Sequence, residues 1–280
     1  MTALLLSLGA SLAWGVSDFG GGTAARRYST ITVLLFMRIG GVLAMGALAL
    51  ATTAPWVGSH WPFAVAAVAT TIGGGLAMLR ALAIGPMGIA APIVAASGAV
   101  PAIFGLATGR APSTVALAGL AVAAAGAVLA SRAPGHRGER VAPAGVGFAL
   151  LAALLIGSSL LLMHEASAES AVSAVLLERS LEALCLVLFV VLRPRLLSPT
   201  DGAGRLPLLA IGALESCAIV SFAAASTLGS LTSAAVLSSL YPVVTVLLAR
   251  ALHDERLSRA QLAGALLTLA GVVVVVATSA

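Results

Sequence analysis

Several charged side chains stand inside long apolar runs, where each needs a reason to be there. Glu178, Arg179 and Glu182 fall within the run 171–192. Positions three and four apart on a helix share a face, so Arg179 can meet Glu182 while Glu178 stacks beside them. Two acids against one base leave a negative excess unless Arg38 or Arg80 joins from another segment. The trio is then either a self-neutralising pair that fixes packing or a site whose spare carboxylate binds a proton or a cationic group. Glu215 lies mid-way through another run with no basic residue within a turn or two in sequence. A lone buried carboxylate spends part of its time protonated, as proton-coupled transport needs. The bland alternative is an acid permanently protonated and hydrogen-bonded beside Ser216 or Ser221. Asp18 follows Trp14 by four residues and so shares its face. The two serve either as an interfacial anchor or as cavity residues.

Backbone interruptions add a second class of candidate. Pro101 and Pro242 fall in runs that correspond in the repeat described below, about one helical turn out of register. Proline removes a backbone donor and frees carbonyls, and paired interruptions in matching helices point to a binding site, or simply to a packing kink. Ser97 and Tyr241 align with each other and could supply hydrogen bonds there. Motifs for enzyme chemistry are missing from the sequence. His164-Glu165 has no second histidine at metalloprotease spacing, and there is no nucleophile elbow or phosphate-cradling loop. Cys185 and Cys217 lie inside apolar runs and form no metal-ligand pattern. No cofactor or metal is expected, and no enzymatic activity.

These residues must be positioned by membrane helices. Apolar residues make up 60% of the 280-residue chain and charged residues only 9%, with a mean hydropathy of +1.10. A soluble domain carries about a quarter charged residues, so lipid is the solvent. Ten apolar segments span roughly 3–22, 30–52, 62–84, 87–108, 113–131, 143–164, 171–192, 206–227, 231–251 and 259–278. Each is close to the ~20 residues that cross a bilayer as a helix. The runs are continuously apolar, which excludes the ten-residue alternation of β-barrel strands. Gly85-Pro86 and Gly229-Ser230 predict tight hairpins. Small residues such as Gly105 and Gly109 offer close-packing faces. All fifteen basic residues are arginines with no interleaved aromatic stripe, so the net charge of +5 does not imply nucleic acid.

The chain also repeats itself. Gly85 matches Gly229 at an offset of 144, while Gly119 and Gly126 match Gly264 and Gly271 at 145. Pro62 and Pro207 lie 145 apart, Arg38 and Arg179 141, and Trp14-Gly15 stands 142 before Ile156-Gly157. The fold class expected is an all-α membrane protein of ten transmembrane helices in two inverted five-helix repeats, 1–131 and 143–280, joined by a charged linker, 132–142. An odd number of spans per half turns the second half upside down, the architecture of many secondary transporters.

Particular motifs carry a family resemblance. Residues 225–232 (ASTLGSLT), then Leu240-Tyr241-Pro242-Val243, Glu255-Arg256-Leu257, Gln261, Gly264 and Gly271 resemble the second repeat of EamA-type transporters of the drug/metabolite transporter superfamily. Trp14-Gly15 with Asp18-Phe19 is similar to that family's first-helix signature, and Arg38 to its second-helix arginine. Gly98 departs from the pattern, standing where a counterpart of Pro242 is expected. The resemblance implies helices 1–4 and 6–9 around a central cavity with 5 and 10 peripheral. It also implies movement of amino acids or other metabolites, often driven by protons.

The expectation is therefore a multi-pass cell-membrane transporter that moves a small metabolite by alternating access, with membrane lipid, a small-molecule substrate and a coupling proton as partners. Efflux of drugs or toxic compounds by the same fold and a non-transporting scaffold are the alternatives. Arginines crowd the odd-numbered loops, which by the positive-inside rule puts both termini outside. The family resemblance favours both inside. Substrate, direction and oligomeric state are not legible.

Overall fold

The computed structural model describes residues 2–100, 113–132, 142–200, 202–228, 237–238 and 240–278. Among them there is no strand. The α-helices are α1 Thr2–Ala25, α2 Thr30–Thr52, α3 Trp61–Ile84, α4 Met87–Ala95, α5 Thr114–Arg132, α6 Pro143–Ala166, α7 Ala171–Leu192, α8 Gly202–Leu228, α9 Tyr241–Leu252 and α10 Arg259–Thr278. One falls in each apolar segment. By length and composition, five stretches among the described residues can cross a membrane: Thr2–Ala25, Thr30–Thr52, Gly58–Ile84, Pro143–Ala166 and Gly204–Ala225. The chain is a multi-pass helical membrane protein. Its solvent is written on the surface of α7. Glu178, Arg179 and Glu182 are buried, whereas Leu188, Val191 and Leu192 are 54%, 70% and 77% exposed. Water would reverse that order; hydrocarbon produces it.

Three segments differ from expectation. Within segment four, expected to run to residue 108, α4 ends at Ala95 and tightens into a 3₁₀ turn, Ala96–Ala99, before the chain is helical again at Val100. The change in winding thus precedes Pro101, which lies outside the described residues along with Gly105, Gly109, the hairpin Gly229-Ser230 and most of the linker. α4 also carries Pro92 within it, and all nine of its residues are buried. Dense packing on every side tolerates the lost backbone donor. Pro242 lies in the first turn of α9, where its missing N–H has no partner to lose, so the break in segment nine comes before it. α8 begins at Gly202, which leaves Pro207 inside the helix instead of opening it.

Close approach is bought with glycine. A Cβ on Gly212 would collide with the Met37 carbonyl, and one on Gly40 with the Leu209 carbonyl, so α2 and α8 meet backbone to backbone. Glycines of α5 and α10 meet each other. A Cβ on Gly119 would stand 2.9 Å from Gly271 O, and one on Gly126 2.7 Å from Gly264 O, which zips α5 to α10. Gly15 packs on Tyr241 O and Val244, while Gly157 packs on Ser97 O and Val100.

Loop contacts sort the two ends of the bundle. At one end Ser29 donates to Leu196 O at 2.7 Å, Arg26 pairs with Glu255 at 2.7 Å, and Gly145 lies beside Gly85. At the other, His60 Nδ1 lies 3.4 Å from Glu169 Oε1, and Ser173 donates to Pro55 O. Loops 1, 3, 7 and 9 and the start of α6 therefore share one face, and α1 starts at the opposite one.

Candidate functional site

The three helices α2, α7 and α8 converge on a buried knot of charge. Arg38 Nη1 donates to Glu215 Oε2 at 2.8 Å, and Arg38 Nε stands 2.9 Å from Glu182 Oε2. From α7, Arg179 Nη1 donates to Glu182 Oε2 at 2.6 Å, its Nη2 reaches Glu215 Oε1 at 3.4 Å, and Glu178 Oε2 lies 3.6 Å away. The Thr71 hydroxyl of α3 donates to Glu178 Oε1 at 2.7 Å. Four of the five charged side chains are 3% exposed or less, and Glu215 is 14% exposed. Their positions lie about 12–20 Å along α2 and α8 from the arginine-rich end, near the middle of a ~30 Å hydrocarbon core.

The i, i+3 pairing of Arg179 with Glu182 is as the spacing dictates. Arg38 supplies the second base, while Arg80 is exposed on α3 and takes no part. Glu215 is not a lone carboxylate. The glycine contact at Gly40 and Gly212 draws α2 onto α8, and two guanidiniums close on it. Neighbours in sequence could not reveal this, because both bases come from other helices. Three carboxylates face two guanidiniums, so with all groups ionised the knot carries one negative excess. It is also under-satisfied. Arg38 Nε, Arg179 Nε, Glu182 Oε1 and Ser216 Oγ are buried without a hydrogen-bond partner among the described residues. Arg38 Nε is near Glu182 but off the N–H line. Ion pairing there is electrostatic only.

Beside the knot lies an aromatic corner. Trp14 of α1 stands 5.9 Å from Phe222 of α8 and 6.2 Å from Tyr241 of α9 between ring centroids, the latter edge-on. Asp18, one turn along α1 from Trp14, is 7% exposed and makes no hydrogen bond or ion pair among the described residues. It lies within electrostatic range of both Glu215 and Tyr241. Trp14, Asp18 and Tyr241 were expected from sequence, whereas Phe222 and Thr71 carried no sequence signal that separates them from ordinary filler. Ser97 is buried in the 3₁₀ turn, but no hydrogen bond or ion pair of the knot reaches it. Among the described residues no group of three or more His, Cys, Asp or Glu side chains could hold a metal ion.

Residues 143–277 match the model of the EamA-like transporter family. Through those residues the chain is similar to that family. Its members are membrane transporters and form part of the drug/metabolite transporter superfamily. A solved crystal structure, 21% identical, aligns with a TM-score of 0.62 over 97% of this chain and 95% of its own. At that identity the likeness carries the fold alone. No curated protein matches. Within the EamA-like region fall Glu178, Arg179, Glu182, Glu215, Phe222 and Tyr241. Trp14, Asp18, Arg38 and Thr71 lie in the preceding half of the chain and complete the site from outside it.

Proposed function

We propose that this chain is a secondary transporter of ten spans in two inverted five-helix halves, moving a small metabolite by alternating access with a proton as coupling ion. One observation carries the reading. The buried charge knot joins the halves, with Arg38 from the first and Glu178, Arg179, Glu182 and Glu215 from the second. A bundle built only for stability gains little from such a knot, because buried ion pairs rarely outdo apolar packing. Its four unpartnered polar atoms each forgo about 1–3 kcal/mol, which narrows the gap to a second arrangement of the same groups.

Contacts between the halves support the inverted repeat. α1 packs on α8 as α6 packs on α3, α2 on α8 as α7 on α3, and α5 on α10. Exchanging the halves maps these pairs onto each other, as it does the glycine contacts of Gly15 and Gly157. Two like halves that meet this way can rock about a shared midplane site. The negative excess of the knot, with the unpaired Asp18 beside it, offers carboxylates for a proton to occupy. The test is flux in proteoliposomes for a panel of amines, amino acids and organic acids, with and without an imposed proton gradient. Gradient-driven accumulation of any one supports the proposal. A chain that is folded and inserted, yet moves none of them under either condition, overturns it.

A further inference from the structure

We propose that the corner formed by Trp14, Asp18, Phe222 and Tyr241 holds the ammonium group of a small organic cation, selecting a cationic amine over a zwitterion or an anion of the same body. The inference rests on the transport reading above and names the substrate class of that site.

Charge decides the class. Asp18 is more than nine-tenths buried and unpaired among the described residues, and a buried carboxylate in that state calls for a cation. Its neighbour Glu215 already accepts from Arg38 and Arg179, so Asp18 is the carboxylate free to take a ligand. The same bookkeeping argues against a zwitterion. A substrate carboxylate needs a basic partner, and the two buried guanidiniums among the described residues, Arg38 and Arg179, are held by glutamates. An amino acid would have to displace Glu215, returning a bare carboxylate to the interior.

The rings supply the second half of the recognition. A cation is attracted to a ring face when it lies within about 6 Å of the centroid, most strongly for tryptophan. With its neighbours 5.9 and 6.2 Å away, Trp14 forms a corner in which one ammonium can reach more than one ring. The rings also give an apolar wall to the rest of the molecule. All three keep some accessible surface although they lie between α1, α8 and α9, as side chains facing an internal space do. The corner bridges the halves, with Trp14 and Asp18 from the first and Phe222 and Tyr241 from the second. Occupation by a cation would therefore be felt by both.

The probe set is 2-phenylethylamine, phenylalanine and phenylacetate, which share a ring and differ in charge. In the full chain carrying Trp56→Phe and Trp61→Phe, both exposed positions, Trp14 is the remaining tryptophan and its fluorescence reports binding. Phenylethylamine is expected to bind at least ten-fold more tightly than phenylalanine, with phenylacetate weaker still. Asp18→Asn should weaken the amine at least ten-fold, while phenylacetate, relieved of a like charge, should bind no more weakly than before. Phe222→Leu keeps bulk while removing a ring face, and should weaken it about five-fold, one cation–π contact's worth. If Asp18→Asn fails to fold, the Phe222 variant and the ranking of the three probes still decide. Phenylalanine binding as tightly as the amine, or amine binding indifferent to both substitutions, overturns the proposal. Flux of the same probes separates the two readings. Phenylalanine carried and phenylethylamine not carried sinks the cation site and leaves the transporter. Selective amine binding without flux of any probe sustains the site and sinks the transporter.

Discussion

Replacing Arg38 by glutamine should be far more damaging than replacing its partner Glu215, and the reason is the charge ledger of the knot. In the native chain three carboxylates face two guanidiniums. Arg38→Gln leaves three against one, strips Glu215 of its 2.8 Å donor and removes the second base beside Glu182. Removing one partner of a buried pair commonly costs about 3–5 kcal/mol. Glu215→Gln leaves two against two, a balanced set, and keeps an amide oxygen that Arg38 can still donate to. Its expected loss is nearer 1–2 kcal/mol, the difference between a charge-assisted and a neutral hydrogen bond. The double variant restores the native excess of a single negative charge. It should be more stable than Arg38→Gln alone, with a coupling of about 1–3 kcal/mol. The assay is denaturation in mixed micelles of rising SDS fraction, followed by tryptophan fluorescence for the four chains of the cycle. Equal losses for the two single variants, or a double variant no better than Arg38→Gln, would refute the reasoning that charge imbalance governs this site.

Other consequences are as concrete. Gly212→Ala must push α2 from α8 at the Met37 carbonyl, so it should destabilise by about 1–3 kcal/mol and loosen the Arg38–Glu215 pair, read in the same micelle assay. Gly147→Ala on α6, where a Cβ meets nothing within 4 Å, is the control and should be neutral. Arg26→Ala breaks the 2.7 Å pair to Glu255, but both side chains are partly exposed, so stability should change by less than about 1 kcal/mol. The positive-inside rule places the face bearing Arg26, Arg193, Arg250 and Arg256 in the cytoplasm and both termini opposite. Cysteines placed at Glu255 and at Ser59, labelled in intact cells after Cys185 and Cys217 are replaced by serine, should react only at position 59. Labelling at 255 alone would reverse the orientation.

Most of the helical plan is legible in the residue order, because in lipid a run of about 20 apolar residues has few options but to close its own backbone hydrogen bonds. Each of the ten apolar segments holds a described helix, and Gly119 and Gly126 of α5 touch Gly271 and Gly264 of α10. The i, i+3 partnership of Arg179 and Glu182 is local geometry, and so it is fixed by spacing. What sequence could not give is which helices lie side by side. Glu215 reads as solitary along the chain, yet sits against Arg38 and Arg179, 177 and 36 residues away. The ends of α4 and α9 escape sequence reading for a similar reason. Whether a proline breaks, kinks or starts a helix depends on what packs around its freed carbonyls. The sequence by itself determined the solvent, the helices and the pairing within α7. Only the tertiary structure decided that Arg38 of α2 meets carboxylates of α7 and α8 while Asp18 is left without a partner among the described residues, since those are contacts between helices, and lipid sets no preference for which apolar surface meets which.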